Sequence, residues 1–360
     1  MRNIPALDGL RAVSIALVIG SHLHNAATSD KTYTSAILAN GDLGVTVFFV
    51  ISGYLITHLL LREFDRDGAL NLRDFYVRRA FRILPPYYLY LLVVCIAATL
   101  GFLPVTRIQA ASAFLFLWDY FPKIKAWPLE HLWSLSVEEQ FYILWPISLV
   151  ACLRRSRRSA QHLALACLVV APALRVLAHF TSPYYSTQIY YMLHTRMDSL
   201  MFGCLTALSQ NEPWFETTYR RMARYVYPMI GFVLVISPML THRFGGAYIF
   251  TVGYSAEGLC IAIAMLWLVR NPTSYLGAAL NWGPIKRIGV MSYSLYIWQT
   301  LFLHRENRSF LGRFPINLVA IFACATFSYF VIEGPSLRLR ERFISRRPLT
   351  GAVRNVSGTS

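Results

Sequence analysis

"LDGLRAVSIALVIGSHLHN", residues 7–25, is an apolar run of membrane-helix character with Arg11 near one end and His22 and His24 at the other. Charge is expensive in hydrocarbon, so its retention on so short a segment needs a reason. The preceding residues, with a basic start and small residues after the apolar stretch, imitate a secretory leader. Asp8 and Arg11, however, sit where the apolar core of a leader would begin. The segment therefore reads as a retained first membrane span.

The rest of the chain agrees. Of 360 residues 56% are apolar and 14% charged, where a soluble protein carries about 25% charged residues. Apolar runs approaching the roughly 20 residues that a helix needs to cross a bilayer fall near 9–24, 41–61, 83–103, 131–153, 160–180, 195–210, 225–241, 248–269, 287–304 and 314–333. The fold class expected is all-α and polytopic, with about ten transmembrane helices. The run 110–118 is too short to cross and is expected to be re-entrant or interfacial.

The formal net charge of +16 would suggest nucleic acid in a soluble protein. Here the arginines lie between apolar runs, at 62–82, 154–158 and 220–224 and beyond residue 336, as the positive-inside rule and anionic lipid demand. No nucleic-acid role is expected. With ten spans all these clusters fall on one side, and both termini are then cytoplasmic; the dissent is 305–313, outside with three arginines. The organisation expected is a membrane domain over 1–340 and a basic, disordered cytoplasmic tail over 341–360. Six scattered cysteines without CxxC or Cys/His spacing indicate neither a disulfide framework nor a metal site.

Arg11 and His22 are eleven residues apart, about 1100° of helical rotation, so they share one face about 16 Å apart along the axis. His24 points elsewhere. One reading has Arg11 snorkelling to the inner headgroups while His22 merely ends the span. The other has Arg11 holding an anionic group at the cytoplasmic end, with His22 as general base farther across. A long donor molecule threaded along the bundle would suit the second.

Other segments carry similar choices. Gly44 and Gly53 in GDLGVTVFFVISGYLIT (41–57) allow close helix approach. Arg79 and Arg82 in FYVRRAFRILPPYY either anchor the membrane edge or clamp phosphate, for which forked guanidiniums are suited. HLWSLSVEEQFYILWP (131–146) places Glu138 and Glu139 among aromatics, and at least one should face the bundle interior. HTRMDSLMFG (194–203) puts Arg196 and Asp198 at the outer end of a span, and Arg175 and Glu257 are further intramembrane charges, some pairing structurally.

Seven of these stretches occur in an order that resembles acyltransferase family 3, the membrane-bound O-acyltransferases: LDGLRA with His22, FFVISGYLIT, FYVRRAFRILP, HLWSLSVEEQFYILWP, TRMDSLMFG, MSYSLYIWQ and FVIEGPSLRLR. The resemblance runs from residue 5 to about 340. It implies transfer of an acyl group, commonly acetyl, from cytoplasmic acyl-coenzyme A (acyl-CoA) to a hydroxyl of a glycan or related acceptor in a bacterial-type inner membrane. Arg11, Arg79 and Arg82 would hold the donor's charged end, and His22 would be the catalytic histidine. Glu138 is expected beside it in catalysis, and Arg196 and Asp198 at the substrate. Glu333 lies in another recurrent stretch. The chain departs from the family at Gln299, where members often have histidine. The extracellular hydrolase-like domain of some members is not expected here, and the membrane unit is expected to act alone or with a separate extracytoplasmic partner. A proton- or ion-coupled transporter or flippase is the alternative. That reading predicts charges near mid-bilayer on broken helices, rather than arginines at one rim.

Overall fold

The computed structural model describes residues 5–28, 32–121, 126–181, 190–307 and 309–344. Among them there is helix and no strand. The first span is α1 (Pro5–Ala27), followed by the short α2 (Tyr33–Leu38) and the long α3 (Gly41–Asp67). Then come α4 (Leu72–Thr99), the eight-residue α5 (Arg107–Phe114), α6 (Leu132–Leu153), α7 (Arg157–Thr181), α8 (Leu193–Ser209) and α9 (Pro213–Ala223). Two long helices follow, α10 (Val226–Phe244) and α11 (Gly246–Arg270). The chain continues through α12 (Tyr275–Leu280), α13 (Gly283–Val290) and α14 (Ser292–Leu303) to α15 (Ile316–Arg340). Residues 345–360 of the expected tail lie outside the described residues.

Helix occupies all ten expected spans, and the chain is an all-α polytopic membrane protein. Seven helices among the described residues are long and apolar enough to cross a membrane: 6–27, 33–67, 72–99, 157–181, 226–244, 246–270 and 316–340. The other three expected spans are α6, α8 and α14. α8 and α14 bury most of their residues, whereas α6 is two-sided, lining the cleft with Glu138 and Glu139 and exposing Ile143, Leu144 and Ile147. A side packed on protein can hold polar side chains that a lipid-facing side cannot. By contrast α4, α7 and α15 expose Leu92, Ile96, Val169, Phe180 and Phe330, the residue types of a lipid-facing surface. With eight residues α5 rises about 12 Å, too little to cross.

Helix borders differ from expectation at the arginine-rich loop. The third span was expected to begin at residue 83, but α4 begins eleven residues earlier. Gly68, at φ +69°, ends α3 in the left-handed conformation. Asn71 then caps the new helix by accepting the Asp74 amide at 3.1 Å. Arg79 and Arg82 thus sit inside a helix, three apart on one face. Pro85 removes one helical donor and frees the carbonyl of Phe81, which accepts the Ser336 hydroxyl at 2.8 Å. That bond ties the end of α15 to α4 beside Arg82.

Close helix contact is set by glycine. A Cβ on Gly53 of α3 would lie 1.9 Å from the Leu200 carbonyl oxygen, and one on Gly203 of α8 would lie 2.1 Å from that of Val50. The two backbones touch where only hydrogen fits. Gly44 likewise lets α3 approach α1. α7 meets α8 through the small residues Ala160, Ala164 and Ala171.

Candidate active site

Four helices and one edge of a fifth line a partly open cleft. α1 contributes Arg11, whose Nη1 meets Asp8 Oδ1 at 3.2 Å, one turn earlier. α4 contributes Arg79, Arg82 and Ile83. α3 presents Val45, Phe48, Phe49 and Ser52, at successive turns of one face. α6 presents Ser134, Glu138 and Tyr142, spaced by four, with Leu135 and Glu139 beside them. Ser292, Tyr293 and Tyr296 close the wall from α14.

Three of the expected donor-binding residues and Glu138 therefore share one cleft. The guanidiniums of Arg11, Arg79 and Arg82 lie within electrostatic reach of one another. Like charges gathered this way repel unless an anion or carboxylate answers them. Arg79 is held by ring faces, 5.0 Å above Tyr142 and 5.8 Å above Phe75, so its forked donors stay available for an oxygen-rich ligand. Arg82 faces the buried Glu333, which accepts the Ser294 hydroxyl at 3.2 Å.

Glu138 ends a hydrogen-bonded chain. Tyr142 donates to Ser52 Oγ at 3.0 Å, and Ser52 donates to Glu138 Oε1 at 2.6 Å. Ser52 and Tyr142 carried no distinguishing signal in the sequence, because their pairing joins positions 90 residues apart. At the inner end Ser134 Oγ lies 2.6 Å from the Tyr296 hydroxyl. The Tyr296 hydroxyl also donates to the carbonyl of His131 at 3.1 Å.

His22 does not line this cleft. It lies toward the other end of α1, within electrostatic reach of His131, His304 and Glu130. His304 Nε2 sits 3.5 Å from Glu130 Oε2, and its ring stacks on Trp127 at 5.1 Å. His24 is engaged elsewhere, 2.8 Å from Ser35 Oγ on α2, which leaves His22 as the histidine on the Arg11 face.

Arg196 and Asp198 lie apart from the cleft. Asp198 is fully buried and takes both terminal nitrogens of Arg175, at 2.8 and 2.7 Å, as well as the Ser255 hydroxyl at 2.7 Å. Arg196 is boxed by aromatics, with Tyr254 at 3.6 Å and Phe49 at 5.8 Å, and donates to Thr46 at 3.1 Å. Phe49 separates it from the cleft, which it also lines. Glu257 is held by Ser237 at 2.6 Å. Gln299 is buried, its Nε2 bonded to Thr300 Oγ1 at 2.6 Å and its Oε1 without a hydrogen-bond partner. Among the described residues no cluster of His, Cys, Asp or Glu could hold a metal ion.

Comparison with known proteins shows the family of the chain. A family described as an acyltransferase domain matches residues 4–333. A putative peptidoglycan O-acetyltransferase, YrhL of Bacillus subtilis, is 30% identical over all of this chain and 59% of its own length. The O-acetyltransferase OatA of Staphylococcus aureus (strain NCTC 8325) is 31% identical over 93% of this chain and 57% of its own. The chain thus spans less than two thirds of these relatives. No solved structure matches it.

Proposed function

The chain belongs to this acyltransferase family, and from that premise we propose that it is an integral-membrane O-acyltransferase. It takes an acyl group, acetyl in the first instance, from cytoplasmic acyl-CoA. The acceptor is a hydroxyl of an envelope glycan, with peptidoglycan first among candidates because one relative, YrhL, carries it in its name. The observation that supports the reading best is the meeting of Arg11, Arg79 and Arg82 with Glu138 on one cleft. Three guanidiniums suit the phosphates of a coenzyme A, and holding that end supplies the orientation on which rate depends.

His22 is the general base in this scheme. The acceptor oxygen bonds to the thioester carbonyl carbon, the carbon–sulfur bond breaks, and His22 takes the hydroxyl proton as attack proceeds. The thiolate leaves with the coenzyme and picks up a proton from water, while the imidazolium returns its own to water. The separation of about 16 Å along α1 between Arg11 and His22 is bridged by the donor's long arm. Glu138, fixed by Ser52, keeps Arg79 and Arg11 oriented around the donor.

The test compares O-acetyl content of envelope glycans from cells expressing the wild type or His22→Ala. The histidine variant is expected to fall to the level of cells without the protein. Equal acetylation in the two strains overturns the assignment of the base. In purified protein, Arg79→Ala and Arg82→Ala are expected to raise the KM for acetyl-CoA by about tenfold or more, as loss of a charge-assisted bond implies.

A further inference from the structure

We propose that the paired hydroxyls of Ser134 and Tyr296 are the subsite for the donor's thioester carbonyl, with Tyr296 donating to that oxygen as negative charge grows on it. The inference rests on the reading of the cleft as the donor site. The two hydroxyl oxygens lie 2.6 Å apart, one on α6 and one on α14, and both residues line the cleft. Both are buried. Each also approaches the backbone carbonyl of His131, at 3.2 Å from Ser134 and 3.1 Å from Tyr296. Two hydroxyls carry only two protons, so they cannot fill all three contacts at once. An incoming carbonyl oxygen can take one proton while the other stays on a protein acceptor. Neither hydroxyl is then left without a partner, the arrangement that would be costly for a buried group.

The place of the pair along the cleft fits that role. Ser134 is eight residues before Tyr142, about 12 Å along α6, and Arg79 rests on the Tyr142 ring. On α14, the Tyr293 hydroxyl donates at 2.8 Å to the carbonyl of Ile83, the residue after Arg82, and Tyr296 is nearly one turn farther on. The hydroxyl pair therefore stands at the end away from the arginines. A donor held there by its phosphates would deliver its thioester at the tip of its slender arm. The wall between the two ends is apolar, with Val45, Phe48, Phe49 and Leu135, as suits that arm.

The proposed base stands just beyond. Glycine contacts set the register of α1 on α3: a Cβ on Gly44 would lie 2.5 Å from the Ser14 carbonyl oxygen, and one on Gly41 would lie 2.9 Å from Ser21 Cβ. Gly41 is about one turn past Val45, so Ser21 and its neighbour His22 lie about one turn beyond the end of the cleft. A carbonyl held on Tyr296 thus falls between the arginine clamp and His22. As the acceptor oxygen adds, the carbonyl oxygen gains charge and the bond from Tyr296 strengthens. The proton stays on Tyr296, and the charge returns to the carbonyl as the carbon–sulfur bond breaks. A donor placed this way acts where charge develops, which is the interaction that speeds the chemical step.

The experiment uses the full chain in nanodiscs, with acetyl-CoA and an oligosaccharide acceptor, and measures kcat and donor KM. Tyr296→Phe keeps the ring, which packs edge-on against Phe48 at 6.2 Å and His131 at 5.6 Å. It is expected to lose about 100-fold or more in kcat, the scale of one lost oxyanion donor, with donor KM changed less than about threefold. Ser134→Ala draws the Tyr296 proton to the His131 carbonyl and should lose about tenfold in kcat; it carries the test if Tyr296→Phe does not fold. Wild-type kcat in either variant, or a loss confined to KM, overturns the inference. A second measurement is the infrared carbonyl stretch of acetyl-CoA labelled with carbon-13 at the carbonyl, bound to His22→Ala. The stretch should lie below that of free acetyl-CoA and return toward it when Tyr296→Phe is added. One frequency with and without Tyr296→Phe overturns the inference and leaves the donor site standing. Failure of acetyl-CoA to bind fells the reading of the cleft itself.

Discussion

At the residue scale, the charged groups divide into those that ligands can reach and those the fold has consumed. Asp198 is fully buried and answers Arg175 through both oxygens, so its loss strands a buried guanidinium. Asp198→Asn is expected to cost about 3–5 kcal/mol of stability, seen as loss of folded protein on size-exclusion chromatography. Ser52→Ala acts differently, because it removes only the 2.6 Å bond to Glu138 and the acceptor of Tyr142. It should fold normally and lower acyl transfer by about tenfold, the value of one charge-assisted hydrogen bond; unchanged transfer would separate Glu138 from the reaction. The sequence grouped Arg196, Asp198, Arg175 and Glu257 as intramembrane charges some of which pair. It carried no sign of which pairs with which, or that Tyr254 stacks on Arg196.

At the element scale, the contact between α3 and α8 holds the middle of the bundle. Gly53→Ala or Gly203→Ala puts a methyl carbon within about 2 Å of a carbonyl oxygen on the facing helix, closer than any atom pair tolerates. Both should sharply reduce folded yield. Gly20→Ala, on the open face of α1 with nothing within 4 Å, should match the wild type or exceed it, since alanine is the better helix former. A second element-level effect comes from the segment between α5 and α6. Burial lifts the Asp119 carboxyl from 3.8 to about 7, even though Gln140 donates to it at 2.8 Å. The folded protein then holds this proton where the unfolded chain has lost it. Stability should fall as pH rises from about 4 to about 7 and level off above. Melting curves across that window should show a shallower decline for Asp119→Asn than for the wild type.

At the scale of the whole molecule, arginine-rich segments, cleft and donor side are predictions of one topology. Arg79 and Arg82 share their cleft with Arg11, which requires the start of α1 and the start of α4 to lie at the same membrane face. A reporter fused after residues 154–158 should therefore read as cytoplasmic, and an extracytoplasmic reading would overturn the span count. The sequence by itself determined the polytopic helical class and the common face of Arg11 and His22. Each follows from hydropathy, charge or the helical repeat, which act over a few turns of one chain segment. Only the tertiary structure decided that Arg11, Arg79, Arg82 and Glu138 meet while Arg196 and Asp198 stand apart. It alone extended α4 back across its arginines. Those outcomes depend on which helices touch, and that is fixed by glycine contacts and buried partners between residues far apart in sequence, where local periodicity carries no information.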